Sequence, residues 1–133
     1  MNTEDRLFAE LECYRLIQAF FVLSDRGEVE AYASLYTEDG TFTRPGLSVR
    51  GRQEIAAAIR SRPPHLVFRH LGITASVDVL DSQSATGRGS HMLILHDRST
   101  GETAAPVVGD FEDAYVKTAE GWRIAKRVVQ AIV

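Results

Sequence analysis

The helical and the sheet-forming parts of this chain meet in one stretch, Arg69–Val79, which reads RHLGITASVDV. Before it, apolar residues recur with helical spacing. From Ile73 onward they alternate with polar residues, as in a strand buried on one face. This change of period predicts an α+β layout, with three helices followed by a run of antiparallel strands.

Three helices are predicted before this stretch, at residues 4–26, 28–36 and 51–60. Thr3 is a suitable N-cap for the first helix, and Gly27 can end it in a left-handed conformation. Residues 37–40 are predicted to form a turn. Strands are predicted at residues 41–44, from His70 to Val79, and at residues 85–97, 103–117 and 122–132. We therefore expect a single domain over residues 1–133.

Composition and charge restrict the function classes. The 133 residues carry a net charge of −3 and are 44% hydrophobic, as in an ordinary globular domain. No long basic run is present, which argues against a nucleic-acid partner. No apolar run reaches membrane-spanning length, and the N-terminus lacks the features of a signal peptide. We therefore expect a cytoplasmic protein with no membrane partner, and a buried free thiol at Cys13.

The first helix is apolar on two sides. One stripe lies within about 40° of a single line and contains Leu7, Leu11, Tyr14, Gln18, Phe21 and Asp25. A second stripe, nearly opposite, contains Leu16, Phe20 and Leu23. A helix of this kind must be covered twice, by its own sheet and by another helix or a second subunit. The pattern also places Asp25 among core residues.

Asp25 and His70 are the main catalytic candidates. An acid at a helix C-terminus is disfavoured by the helix dipole, so Asp25 needs a partner. A carboxylate beside an imidazole fixes the histidine tautomer and stabilises the imidazolium, which suits general-base catalysis. Strict alternation places His70 on the face opposite Ile73, but a bulge at Gly72 would return it to the inner face. The alternative for His70 is a structural histidine.

Two further histidines lie on the next predicted strand. His91 and His96 are an odd number of residues apart, so a regular strand turns only one of them inward. The histidines and Asp25 lack the ligand spacing of a zinc site. We therefore expect no metal and no other cofactor.

Three other polar residues are candidates with less support. Tyr14 shares the stripe of Asp25 and either donates a hydrogen bond in a cavity or simply packs. Arg44 is either an anion anchor at a cavity mouth or a surface arginine beside a turn. Arg127 has the opposite strand parity to Trp122, so we expect it to be external if Trp122 packs in the core, and a salt bridge is the alternative to a functional role.

Four motifs follow one another along the chain: Leu35–Phe42 (LYTEDGTF), Gly51–Ile55 (GRQEI), Arg69-His70, and Gly121–Arg127 (GWRIAKR). In this order and spacing the sequence resembles the nuclear transport factor 2-like superfamily, and its SnoaL-like branch most closely. The resemblance implies a cone-shaped fold in which a curled, mainly antiparallel sheet wraps the long helix and leaves an apolar cavity open at one end. It also implies a homodimer or a homotrimer.

Within that superfamily the chain is similar to scytalone dehydratase, bile-acid dehydratase and hexachlorocyclohexane dehydrochlorinase. Each places an aspartate at the end of the first helix against a histidine on the first long strand, as Asp25 and His70 are placed. Scytalone dehydratase has a further catalytic histidine, for which the spacing favours His96 over His91. It also has tyrosines where this chain has Ser24 and Arg44. Ketosteroid isomerase carries its base at the position of Arg44, which argues against that mechanism.

The resemblance implies a cofactor-independent lyase-type enzyme, a dehydratase or a related isomerase or cyclase, that acts on a small apolar molecule. His70 would be the general base and Asp25 would hold it. The candidate substrate-binding residues are Tyr14, Arg44, His91 and His96. The alternatives are a non-catalytic ligand-binding or assembly domain of the same fold, and a small subunit of a larger oxygenase.

Overall fold

The computed structural model describes residues 1–132 and confirms the α+β class. Its elements are α1 (Thr3–Arg26), α2 (Val29–Ser34), β1 (Tyr36–Arg44), β2 (Leu47–Arg50), α3 (Gly51–Arg60), β3 (Leu66–Val79), β4 (Ser84–Asp97), β5 (Glu102–Thr103), β6 (Val107–Thr118) and β7 (Gly121–Ala131). Seven strands form one curled sheet in the order β2-β1-β7-β6-β4-β3, with β5 paired to β4. β1 and β7 run parallel, and the other described pairs are antiparallel.

Local sequence explains most element boundaries. The N-cap of α1 is Asn2 rather than Thr3, because the Asn2 side chain accepts a hydrogen bond from the backbone N–H of Asp5 at 2.8 Å, as the first half of a capping box. Gly27 ends the helix with φ 65°, which confirms its role. The third helix is confirmed at the predicted residues.

Several boundaries differ from the prediction: α2 ends at Ser34 rather than at residue 36, β3 begins at Leu66 rather than at His70, and the strand β2 is not predicted. Residues 37–40 belong to β1 and not to a turn, and they form an irregularity between Tyr36, which pairs with Ile124 of β7, and Thr41, which pairs with Lys126. The predicted strand 103–117 is interrupted at residues 104–106. Pro106 has no N–H to donate to a ladder, so the chain resumes its pairing only at Val107.

The buried face of α1 lies between the two predicted stripes. It contains Ala9, Cys13, Leu16, Ile17, Phe20, Phe21 and Ser24. The predicted stripe is therefore wrong along most of its length, since Leu7, Leu11 and Tyr14 are 58%, 48% and 36% exposed. The sheet covers one broad face of α1 in this single chain and leaves the Leu7 side open. The homodimer or homotrimer stays a prediction.

A β-bulge sets the inner face of β3. Gly72 pairs with His91 and Thr74 pairs with Ser90, so Ile73 is an extra residue without a partner in β4. This confirms the bulge predicted at Gly72. The extra residue changes the parity of the strand, which turns His70 to the face that carries Val77 and leaves Ile73 exposed.

Gly89 makes room for this bulge. A Cβ atom at Gly89 would lie 2.1 Å from the carbonyl oxygen of Thr74 and 2.8 Å from the Phe111 ring. The backbone of β3 and an aromatic ring of β6 therefore both approach β4 where a side chain is missing.

A second bulge turns Arg127 inward. Tyr115 pairs with Ile124 and Ala114 pairs with Lys126, so Ala125 is the extra residue of β7. Trp122 and Ile124 are buried, and Arg127 is fully buried with them. The expectation that Arg127 is external is wrong, because strict alternation takes no account of the bulge.

Arg127 and Asp113 form a buried ion pair in the core. Arg127 Nε donates to Asp113 Oδ1 at 2.6 Å, and a second bond joins the same two groups. The Tyr115 hydroxyl donates to Asp113 Oδ2 at 2.6 Å. The guanidinium carbon lies 3.8 Å from the Phe20 ring centroid. Burial is the largest single effect and would lower the pKa of Arg127, but the charge and hydrogen bonds of Asp113, together with smaller effects of Tyr36 and Tyr115, outweigh it and the pKa is raised.

No helix among residues 1–132 combines the length and the apolar composition that crossing a membrane requires.

We predict that Gly89→Ala lowers the free energy of unfolding by about 1–3 kcal/mol, as overpacking in a core does. The added methyl group has backbone on one side and a ring on the other. Urea unfolding followed by circular dichroism measures the loss. Thr86→Ala, at an exposed position of the same strand, is the control and is expected to change stability by less than about 1 kcal/mol. Equal effects of the two substitutions would contradict this account of Gly89.

We also predict that Asp113→Asn lowers the free energy of unfolding by about 3–5 kcal/mol, since it leaves the guanidinium of Arg127 buried without a counter-charge. The double variant Asp113→Asn with Arg127→Met is expected to recover part of this loss. Thermal unfolding of the three proteins checks both statements. A single variant as stable as the parent protein would show that Arg127 is not held by Asp113.

Candidate active site

One carboxylate binds His70 at two atoms. Asp25 Oδ1 lies 2.5 Å from His70 Nδ1, and the backbone N–H of His70 donates to Asp25 Oδ2 at 2.7 Å. The two side chains are only 10% and 11% exposed. An ionised carboxylate accepts hydrogen bonds and donates none, so Nδ1 carries the proton in this pair. The imidazole is thereby fixed as the Nδ1–H tautomer when neutral.

The edge position of β3 makes this contact possible. β3 is the last strand of the sheet, so N–H groups on its outer side lack partners in a neighbouring strand. Asp25 lies in the last turn of α1 and accepts a hydrogen bond from one of these N–H groups, that of His70. The same contact gives the Asp25 carboxylate the hydrogen-bond donors that it needs, because the negative end of the α1 dipole disfavours an acid there.

Aromatic rings fix the orientation of the His70 ring. The Phe21 ring stacks on it with 5.7 Å between centroids and 25° between planes. Phe20 approaches it edge-on at 6.4 Å. Among residues 1–132, His70 Nε2 has no hydrogen-bond partner, and the atom is not fully buried. The second ring nitrogen is thus free and accessible.

His70 lines a cavity of about 350 Å³. Most of the wall is apolar and comes from Phe20, Tyr32, Phe42, Leu47, Ile55, Ile59, Phe68 and Leu93. The polar lining side chains are Ser24, Arg44, Ser61, Arg62 and His70. Asp25 lies behind His70 and outside this lining. The volume falls within the range of small-molecule sites, about 300–1,000 Å³.

A pair of buried tyrosines contributes one member, Tyr32, to the cavity wall. The hydroxyl oxygens of Tyr32 and Tyr36 lie 3.0 Å apart, and Tyr32 lines the cavity. Burial raises the pKa of Tyr32 to about 12, against a smaller opposing effect of the Tyr36 hydrogen bond. Tyr32 is therefore a neutral hydroxyl at physiological pH and can donate.

Arg62 is a cavity residue that sequence reasoning missed. Its two terminal nitrogens donate to the carbonyl oxygen of Ser24 at 2.6 Å and to Ser24 Oγ at 2.9 Å. Its guanidinium carbon lies 4.3 Å from the Phe68 ring centroid. In the sequence Arg62 is one of several scattered arginines. The only local signal is its place between α3 and the Pro63-Pro64 pair that ends that segment.

The other predicted residues are distributed over four places. His91 faces the core and is 6% exposed, with its ring centroid 5.4 Å from that of His70. His96, which the resemblance favoured, is turned the other way and its Nδ1 lies 2.8 Å from Thr103 Oγ1. Tyr14 lies on the open side of α1 and does not line the cavity. Arg44 is exposed, borders the cavity and donates to the carbonyl oxygen of Pro45 at 3.0 Å.

His91 is a neutral neighbour of the candidate base. Burial lowers its pKa to about 4, and the nearby His70 and Arg127 act in the same direction. Its Nδ1 atom is buried without a hydrogen-bond partner among the residues described. A neutral His91 adds no positive charge beside His70 at physiological pH.

No group of three His, Cys, Asp or Glu side chains converges to hold a metal ion within residues 1–132.

The pKa of His91 predicts a pH dependence of stability. In the unfolded chain His91 takes up a proton near pH 6.5, whereas in the folded protein it does so only near pH 4. The unfolded state binds the extra proton between these values, so stability falls as the pH is lowered from 6.5 to 4. At about 1.4 kcal/mol for each pKa unit, the loss reaches about 3 kcal/mol.

Urea unfolding at several pH values, compared between the parent protein and His91→Phe, isolates this contribution. The parent is expected to lose more stability than the variant over this pH range. Parallel profiles for the two proteins would refute the assignment.

Comparisons with known proteins identify the family and the fold. A family model described as a SnoaL-like domain matches residues 5–128. A search of curated protein sequences finds no significant match. Three solved structures illustrate the likeness to the fold.

The first is an NTF2-like protein with a cystatin-like fold from Novosphingobium aromaticivorans, with 26% identity, a TM-score of 0.80, and coverage of 96% of this chain and 84% of that one. The second is hexachlorocyclohexane dehydrochlorinase LinA-type3 from Novosphingobium barchaimii, with 15% identity, a TM-score of 0.88, and coverage of 99% and 92%. A scytalone dehydratase-like protein from Novosphingobium aromaticivorans has 17% identity, a TM-score of 0.84, and coverage of 99% and 89%. The last two share the fold alone. The chain belongs to the SnoaL-like domain family and has the NTF2-like fold.

Proposed function

We propose that this protein is a cofactor-independent enzyme in which His70 takes a proton from a carbon atom of a small, largely apolar substrate. The reaction class is an elimination of the dehydratase or dehydrochlorinase type, or a closely related isomerisation or cyclisation. One observation carries the proposal: Asp25 holds Nδ1 and the backbone N–H of His70, while the free Nε2 belongs to a ring that lines a cavity.

The chemistry follows from the tautomer. Nε2 of the neutral imidazole has a lone pair and takes the proton from the C–H group. In an elimination, the electron pair of the C–H bond forms the new double bond and the leaving group departs with its own bonding pair. The imidazolium that results is stabilised by the Asp25 carboxylate. In an isomerisation, the proton returns from Nε2 to another carbon.

The cavity also offers donors for the charge that develops on the substrate. Tyr32 is a neutral hydroxyl at the wall, and Arg44 and Arg62 are cations on the same lining. Donors fixed before the reaction stabilise an oxyanion or a leaving group without reorganisation. His96 and Tyr14 are not part of this proposal, since neither lines the cavity.

The main alternative is a non-catalytic binding domain of the same fold. That alternative would be favoured by a cavity filled with the protein's own side chains, or by a histidine with both ring nitrogens engaged. The free Nε2 beside an unfilled cavity supports the catalytic proposal instead.

The proposal predicts that His70→Ala and Asp25→Asn each reduce turnover about 100-fold or more, which is the usual contribution of a general base. The assay incubates the protein in D₂O with a panel of cyclic ketones, β-hydroxy ketones and chlorinated cyclohexenes. Proton NMR follows both deuterium exchange at carbon and alkene formation. Mass spectrometry identifies the products.

His96→Ala is the matched control and is expected to keep full activity, because that ring lies on the other face of β4. Circular dichroism establishes that each variant is folded. Full activity in either site variant, or no acceleration by the parent protein with any member of the panel, would contradict the proposal.

A further inference from the structure

Two arginines on the cavity wall have no carboxylate partner among residues 1–132. The ion pairs formed within residues 1–132 join Arg52 to Glu120, Arg60 to Glu30, His65 to Asp97, His70 to Asp25, and Arg127 to Asp113. Neither Arg44 nor Arg62 is among them, although both line the cavity. Asp25 is the acid whose charge acts on Arg62, and its two oxygens are already bonded to His70.

We propose that this cavity selects an apolar molecule that carries one carboxylate, and that Arg62 is the residue that binds the carboxylate. This inference rests on the proposed function for the identity of the site, and it adds the substrate class that the site accepts. The apolar lining takes the body of the substrate, and Arg44 adds positive charge at the mouth.

Arg62 is held in place before any ligand arrives. Its bonds to the carbonyl oxygen and to Oγ of Ser24 fix two terminal nitrogens. Phe68 covers one face of its guanidinium. Ser24 is only 1% exposed, so this anchor is part of the core. An arginine held in this way loses little side-chain entropy on binding, which favours tight recognition of a planar carboxylate.

The guanidinium keeps donors for a ligand. Of the five N–H groups that an arginine carries, two are used by Ser24. The remaining N–H groups can bind a carboxylate with charge-assisted hydrogen bonds, which are stronger than neutral ones.

The electrostatic balance of the cavity favours an anion. Burial lowers the pKa of Arg62 and outweighs the opposing effects of Tyr32 and of the Asp25 charge, and the charge of Arg44 adds a smaller effect in the same direction as burial. The Arg62 guanidinium is thus a cation that is partly removed from water and lies near a second cation, Arg44. A carboxylate in the cavity would offset both the lost hydration and the repulsion between the two arginines, whereas a neutral molecule of the same shape would offset neither.

The occupant must also be mostly apolar. The rings of Phe20, Phe42 and Phe68 and the side chains of Ile55, Ile59 and Leu93 surround the space. A cavity of about 350 Å³ accommodates one or two fused rings. A monocarboxylate with an aromatic or alicyclic body matches both the charge and the lining.

Isothermal titration calorimetry with 2-naphthoate and with its neutral isostere 2-naphthamide tests the inference. We expect the parent protein to bind 2-naphthoate at least about 10-fold more tightly than the amide, as one charge-assisted hydrogen bond provides. Arg62→Gln is expected to abolish this preference. Arg60→Gln is the control, because Arg60 is a neighbouring exposed arginine that pairs with Glu30 outside the cavity.

Two further measurements keep the test decisive. The preference of the parent protein for 2-naphthoate should decrease as the NaCl concentration rises, because salt screens the attraction; this readout does not depend on the folding of a variant. His70→Ala should retain the preference, since binding of the carboxylate does not use the base. The inference can therefore fail while the proposed function stands, and the reverse also holds.

Three results would overturn the inference. They are equal affinity of the parent protein for the acid and the amide, an undiminished preference in folded Arg62→Gln, and no binding of 2-naphthoate at millimolar concentration.

Discussion

The contact between the Asp25 carboxylate and His70 organises the candidate site. Through one oxygen it satisfies an edge-strand N–H, and through the other it fixes the tautomer of the imidazole. It therefore ties the end of α1 to β3 and prepares Nε2 as a base with the same two hydrogen bonds. Without it, the C-terminal acid of the helix and the N–H of β3 would both lack partners, and either ring nitrogen of His70 could carry the proton.

Two bulges determine which side chains reach the interior. The bulge at Ile73 turns His70 to the inner face, and the bulge at Ala125 brings Arg127 into the core. The sheet can therefore combine a conventional apolar core with a base on one strand and a buried ion pair on two others. The cavity lies on the α2–α3 side of this arrangement, where Arg62 and Arg44 form no ion pair with a carboxylate of the described part of the chain. A candidate base and two cations thus share one apolar space.

Sequence reasoning predicted the parts of this structure that depend on local signals. The three helices, the Gly27 end of α1 and the bulge at Gly72 all follow from residue type and periodicity. The contact of Asp25 with His70 was expected through the resemblance to known families. The stripe of α1 was wrong because a helix with two apolar sides does not reveal which side the sheet covers. The prediction for Arg127 is wrong because no residue type near Ala125 indicates a bulge. The sequence does not single out Arg62, because its hydrogen bonds to Ser24 join residues that are distant in the sequence.

The most direct test of the central claim is the tautomer of His70, measured by ¹⁵N NMR of the imidazole nitrogens at a pH where the ring is neutral. The account predicts a protonated Nδ1 and an unprotonated Nε2 in the parent protein, and a change towards the Nε2–H form in Asp25→Ala. A parent protein in which Nε2 carries the proton would contradict the account, because His70 would then have no lone pair to offer to the cavity.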